Sequence, residues 1–193
     1  MAKAPLAERT VYTNLAYLRI TPWSTEVSGP DGSTYDVTEV VGDTTTVEQA
    51  ENDVNVLESE FRSTPLYENT ILGDKTFTCE SIDLQNEVLK GLFGWTVDEE
   101  GNAYAPIAYK HLYATIELGF QSTDNVIVLP KVLLNSRAVI ASMKTDASRA
   151  NIAGTCYTAF VDDEETDMAL LKDAKASDDG AAVIARVKAE KTA

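Results

Sequence analysis

No Lys or Arg occurs between Arg19 and Arg62, yet that stretch carries ten acidic residues: Glu26, Asp31, Asp36, Glu39, Asp43, Glu48, Glu51, Asp53, Glu58 and Glu60. Over all 193 residues, 16 basic side chains face 31 acidic ones, a net charge of −15. A field of one sign repels anions and attracts cations. Proteins that grip DNA do so by neutralising phosphates with Lys and Arg, so tight nucleic-acid binding is excluded, as is docking on an anionic membrane. Handling DNA without gripping it is not. There is one histidine, His111, beside Tyr109 and Lys110. It lacks a second site-building group at a workable spacing and reads as a strand-edge residue rather than a ligand or base. Two cysteines, Cys79 and Cys156, are too few for a disulfide scaffold and read as buried free thiols of a reducing cytoplasm. No run approaches the ~20 apolar residues of a membrane span. Met1 to Arg9 has no hydrophobic stretch, so no secretory signal is expected.

What remains is a globular chain, 44% apolar, long enough to bury a core. Val11–Ile20 is β-branched and aromatic and predicts a strand ended by Thr21-Pro22-Trp23. Ser28–Ser33 is turn chemistry, with Asp31-Gly32 as the expected hairpin tip, and Tyr35–Val41 is the returning strand. Gly42–Asp53 is polar and without useful periodicity, which predicts a long exposed loop, and loops of about a dozen residues are often functional. Val54–Phe61 alternates, with Leu57 and Phe61 opposite Glu58 and Glu60. Lys75–Ser81 does the same, with Phe77 and Cys79 opposite Thr76, Thr78 and Glu80.

Asp83 suits an N-cap for a short helix, Leu84–Phe93, whose Leu84, Val88, Leu89, Leu92 and Phe93 form one apolar stripe. Gly94 is placed to stop it, and Gly91 inside weakens it. Asp98–Asn102 is another turn. Leu112–Phe120 alternates, predicting Ala114, Ile116 and Leu118 inward and Thr115 and Glu117 outward. Val126–Leu134 is apolar throughout, as for a strand buried on both faces, with Pro130 marking a bulge or edge. Arg137–Thr145 and Ile152–Val161 complete the set. From Asp162 the texture turns acidic and then Ala- and Lys-rich, with a short helix expected around Met168–Lys175 and a flexible end after about residue 176. The expected fold is mainly β: a β-sandwich or open barrel of seven or eight strands with one flanking helix near 83–93.

No nucleophile elbow, phosphate-cradling glycine loop or zinc-type cysteine pairing is present. Carboxylates abound, but nothing singles out a glycosidase pair. Asp31-Gly-Ser, Asp98-Glu-Glu-Gly-Asn and Asp162-Asp-Glu-Glu could offer oxygen ligands to calcium, but none has the spaced pattern of a calcium loop. No metal, cofactor or enzymatic activity is expected.

The order of elements carries a resemblance. An acidic, strand-rich first half leads through a long polar loop and a strand into the short helix Asp83-Leu-Gln-Asn-Glu-Val-Leu-Lys-Gly-Leu-Phe-Gly94. A Gly-containing turn follows, then a meander from Tyr109-Lys-His-Leu-Tyr-Ala-Thr-Ile-Glu-Leu-Gly-Phe120 to Gly154-Thr-Cys-Tyr-Thr-Ala-Phe160. Over roughly residues 10 to 165 this resembles the major tail tube proteins of long-tailed bacteriophages. The resemblance implies a tail-tube β domain over 1–165 with a C-terminal extension over 166–193, and hexameric rings whose sheets join into an inner β-barrel. Those rings stack, through the long loop and the chain ends, into a tube whose lumen passes the genome. It also implies tape-measure, tail terminator and baseplate or distal tail proteins as partners, DNA only in transit, assembly in the host cytoplasm and residence in the virion tail.

DNA carries one negative charge per ~1.7 Å of axis, so a channel it crosses without sticking should be acidic or neutral. Glu58, Glu60, Glu80 and Glu117 are the expected lumen-facing residues. Gly42, Asp43, Thr44, Glu48, Glu51 and Asp53 belong to the expected inter-ring contact loop. Two alternatives share the composition. One is the tube subunit of a contractile injection or type VI-like system. The other is a carbohydrate-binding β-sandwich, which usually shows a row of exposed aromatics; here Trp23 and Trp95 sit at element ends.

Overall fold

The computed structural model describes residues 14–37, 39–59, 62–82, 84–108, 111–139, 148–174 and 181–190, with the backbone alone for 55–68 and 181. It is mainly β, 52% strand against 8% helix. In chain order the elements are β1 (Leu15–Pro22), β2 (Tyr35–Val37), β3 (Thr46–Gln49), β4 (Asp53–Ser59), β5 (Arg62–Ile71), β6 (Lys75–Ser81), α1 (Asn86–Phe93), β7 (Thr96–Val97) and β8 (Ala103–Tyr104). Then follow β9 (Leu112–Phe120), β10 (Val126–Leu134), β11 (Arg137–Val139), β12 (Arg149–Tyr157), β13 (Ala159–Val161), β14 (Glu164–Thr166), β15 (Ala169–Leu171), α2 (Ala181–Ile184) and β16 (Val187–Lys188).

One antiparallel sheet organises the molecule, in the order β2-β1-β9-β10-β12-β6-β3, with β11 added on β12 and β15 on β10. β2 is at one edge, yet the chain that follows it reaches the opposite side. Val41 donates to the Glu80 carbonyl (2.8 Å), and the Ile82 N–H donates to Glu39 (3.0 Å). The sheet must therefore curl, and it curls around a first core without closing as a barrel. Leu18, Ile20, Phe77, Ile116, Leu129 and Ile152 are fully enclosed there.

Helix α1 adds Val88, Leu89, Leu92 and Phe93 to that core, the stripe its four-residue recurrence predicts. Gly94 ends it in the left-handed region at φ 67°, its N–H returning to the Leu89 carbonyl. The expected cap Asp83 lies outside the described residues, and Gln85 occupies the N-cap without a side-chain capping hydrogen bond. Gly91 has a packing role that propensity conceals. A Cβ there would come within 2.2–2.4 Å of the Tyr35 ring, so the missing side chain is what seats the tyrosine.

The opposite face of the sheet carries a second core, made by Trp23, Val126 and Val128 with Ala159, Val161, Leu171, Val183 and Val187 of the C-terminal segment. That segment forms its own three-stranded sheet, β14-β13-β16, and lends β15 to β10, where Val126, Ile127 and Val128 pair with Leu171, Leu170 and Ala169. The helix expected around Met168–Lys175 is instead β15, because a ladder against β10 outweighs the weak helical pattern of so short a run. Past residue 176, Ala181–Ile184 is helical and Val187–Lys188 pairs with β13.

β10 is buried on both faces as its continuous apolar run predicts, and its register shifts between Leu129 and Val132, around Pro130. Cys79 and Cys156 are both free and buried, and burial raises both thiols. The expected tip at Asp31-Gly32 is corrected. The turn falls at Glu26–Ser28, and Asp31 folds back to accept from the Ser24 N–H (2.5 Å) and from its hydroxyl.

Candidate functional site

The expected loop Gly42–Asp53 is partly a strand. Gly42 and Asp43 form an exposed turn, with Asp43 at φ 60°. Thr44 is tied inward, donating to the Val41 carbonyl (2.7 Å) and accepting from the Glu80 N–H (3.1 Å). Thr46–Gln49 then adds to the sheet edge as β3, Val47 opposite Phe77 and Glu48 opposite Thr76. Val47 packs on the first core, and Thr46 and Thr78 share a hydroxyl bond of 2.7 Å. Polar residues on one face of an edge strand hide the period-two pattern, which is why the sequence reads as loop. Glu48, Glu51 and Asp53 are exposed, on a segment with no basic residue.

β4 and β5 follow as a long hairpin that forms a two-stranded sheet of its own and joins no other described strand. β5 has little sequence signal, since Pro65 interrupts it, and Pro is tolerated where an outer strand needs no ladder donor. At the base of the hairpin Val54, Ile71 and Leu72 are exposed apolar residues, 53%, 52% and 70% accessible. Asn52 braces this base by accepting from the Gly73 N–H (3.1 Å), and the Ala50 N–H donates to Asp74 (2.9 Å). Gly73 is there for close approach, because a Cβ would meet the Ala50 carbonyl at 2.2 Å.

The four expected lumen residues part company. Glu58 falls in β4, and its side chain, like all of Glu60, lies outside the described residues. Glu80 sits on β6 opposite Asn151, half-buried, accepting from Arg149 Nη1 at 2.8 Å. Glu117 is corrected outright: it is fully buried, neither carboxylate oxygen has a hydrogen bond, and no exposed face carries it. Its alternation with Ile116 and Leu118 holds, but the face it shares with Thr115 lies against the second core, where its pairing partner Val128 packs. Thr115 beside it is buried too, accepting from Trp23 Nε1 (2.9 Å) and donating to the Pro130 carbonyl (2.7 Å) at the bulge. Burial pushes the Glu117 carboxyl up to about 7, Arg19 on the paired strand pulling it down and Asp36 adding to the rise.

Elsewhere the described residues offer little chemistry. A cavity of about 660 Å³ opens at one end of the first core, lined by Leu15, Leu18, Val40, Val47, Phe120 and Ile127 with Asn14, Asp43 and Thr45. Among the described residues no group of three or more metal-ligating side chains converges, and no helix is long and apolar enough to cross a membrane. Asp98 spends its carboxylate inside its turn, on the Asn102 side-chain amide (2.9 Å) and then on the backbone N–H groups of Asn102 and Glu100, which lowers its pKa. His111 is exposed just before β9. Trp23 is only 5% accessible, its ring under Lys131 Nζ, so it contributes to no exposed aromatic row.

No protein-family model and no curated protein matches the chain. Among solved structures it is similar to a chain in the six-fold symmetrised cryo-EM structure of the anti-feeding prophage baseplate. The TM-score is 0.40 at 9% identity, covering 88% of this chain and 99% of that one. At that score the likeness assigns neither family nor function to this chain.

Proposed function

We propose that the chain is a structural subunit of a phage-tail-like particle, in which rings of identical copies stack into a tube that conducts DNA past an acidic wall. The observation that carries this reading is the β4–β5 hairpin. Two strands alone are at best marginally stable in water, and here they join no other described sheet. Their base displays apolar residues among carboxylates. Edges left unpaired among the described residues ask for a partner, and the main sheet ends, among the described strands, in the short edges β2 and β3, where copies can meet. The acidic, base-free stretch that contains the hairpin's first strand supports a surface that lets a polyanion pass. The expected roles divide accordingly: Glu58 and Glu60 towards the channel, and Gly42, Asp43, Thr44, Glu48, Glu51 and Asp53 towards the next ring. Tape-measure, terminator and baseplate proteins are its proposed partners, and it works as a scaffold without cofactor or catalysis.

Negative-stain microscopy of the full chain at high concentration should show rings or hollow rods. Replacing residues 54–70 by a short Gly-Ser linker should leave a folded chain that forms neither. Single particles from the full chain, even beside tail-assembly partners, would sink the reading, as would tubes from the linker variant. Because Val47 packs on the core, the ring contact is better tested by Glu48→Lys with Glu51→Lys than by deleting the segment. Reversing Glu58 and Glu60 should slow DNA ejection while tubes still form.

A further inference from the structure

We infer that the C-terminal cover, its described residues 159–174 and 181–188, is a pH-responsive clasp, held on the central sheet by the neutral form of Glu117 and loosened when that carboxyl ionises. Glu117 lies mid-strand on β9, paired with Arg19 on β1 and Val128 on β10. It is fully enclosed, with no hydrogen bond to either oxygen. A buried carboxylate is tolerated when bonds or a close countercharge replace its water, and costs heavily otherwise.

The groups around it do not supply that replacement. Arg19, in register across the ladder, directs its Nε to Asp36 at 2.7 Å and lies over the Tyr17 ring, so its charge is shared with a second carboxylate on β2. β10 presents Val126 and Val128 to the second core. From the cover come Val161, Leu171, Val183 and Val187, all apolar. The cover's own charges pair with one another at its turns, Asp162 with Arg186 and Asp163 with Lys188 (3.4 Å). Lys131 stands farther along β10, over Trp23 and Tyr113 and paired with Glu26.

The cover can part from the sheet as a unit. Its three strands hydrogen-bond among themselves, and its described ties to the body are the short β15–β10 ladder, the Lys75–Asp167 pair at 2.6 Å, the Asp173 N–H donating to Asn125 Oδ1 (3.3 Å) and the apolar contacts of the second core. Lifting it returns Glu117 to water, where a carboxyl ionises in the usual range. Ionisation therefore favours the lifted state. The enclosed carboxyl titrates at about 7, so the balance moves through neutral pH.

Amide hydrogen exchange on the full chain, corrected for the intrinsic pH dependence of exchange, reads this directly. Opening in 159–171 and 181–188 should rise about tenfold from pH 6 to pH 8, the ratio linkage gives for one carboxyl titrating near 7 when covered and near 4.5 when open. β6 should not follow. Glu117→Gln should abolish the rise. An equal rise in that variant, or none in the wild type, overturns the clasp. Should the variant fail to fold, carbon-13 carboxyl shifts of the wild-type protein decide. A buried glutamate titrating between pH 6 and 8 in step with exchange supports the inference, and no carboxyl titrating above pH 5 overturns it.

Discussion

β6 and β9 are strands of one sheet, each alternating apolar side chains with Thr and Glu, and each directs its apolar set into the same core. They differ in what lies behind them. Behind β6, Thr76 and Thr78 are exposed and Glu80 keeps some water while pairing with Arg149 at 2.8 Å. Behind β9 lies the C-terminal cover, so Thr115 and Glu117 are fully enclosed. Identical local patterns thus carry opposite energetics. A half-exposed pair is worth little either way, whereas an enclosed, unbonded carboxyl is a liability whose size depends on pH.

The shared front face is where the largest effect is expected. Phe77→Ala should cost about 3–5 kcal/mol in urea unfolding, since the ring is fully enclosed and its neighbours can collapse only in part. A loss below about 1 kcal/mol would mean that β6 does not face the core. Next comes the back face of β9. The carboxyl of Glu117 rises in the folded state from 4.5 to about 7, so the native protein binds the extra proton. Stability is then full below pH 4.5 and falls as pH rises through 7. At 1.36 kcal/mol per unit the fall is about 3 kcal/mol between pH 4.5 and 8.5, and it should vanish in Glu117→Gln. Denaturation midpoints at four pH values would measure it, and an unchanged slope in the variant would return Glu117 to solvent.

Much of this molecule is written locally. β6 has the expected bounds, β10 is apolar on both faces and bulges near its proline, and α1 ends at Gly94 as a C′ glycine dictates. The failures share a cause. β3 shows one inward residue, Val47, in a polar edge strand, β5 is interrupted by Pro65, and β15 gains its conformation from a ladder to β10, more than 40 residues earlier in the chain. Glu117 belongs with them, because alternation says which residues share a face but not whether a distant segment covers it. The acidic stretch and the hairpin's first strand were legible as a candidate assembly surface. The exposed Ile71 and Leu72 at its base were not, since an apolar side chain carries no mark of exposure until its neighbours are known.

Two smaller changes sharpen the contrast between front and back. Gly91→Ala should lower stability by about 1–3 kcal/mol, although alanine is the better helix former by about 1 kcal/mol, because the new methyl would meet the Tyr35 ring. A thermal midpoint that rises instead would show that Tyr35 can swing away freely. Smallest of all is Glu80→Gln. Its partner Arg149 keeps a third of its side-chain surface in water, so solvent replaces most of what the lost charge supplied, and the expected loss is about 0.5 kcal/mol. Glu80 is on β6 and Glu117 on β9, with β12 and β10 between them in the sheet, so the two substitutions should add. A double variant whose effect differs from that sum by more than about 1 kcal/mol would mean that front and back are coupled through the sheet, and that the cover reaches farther around it than its described ties indicate.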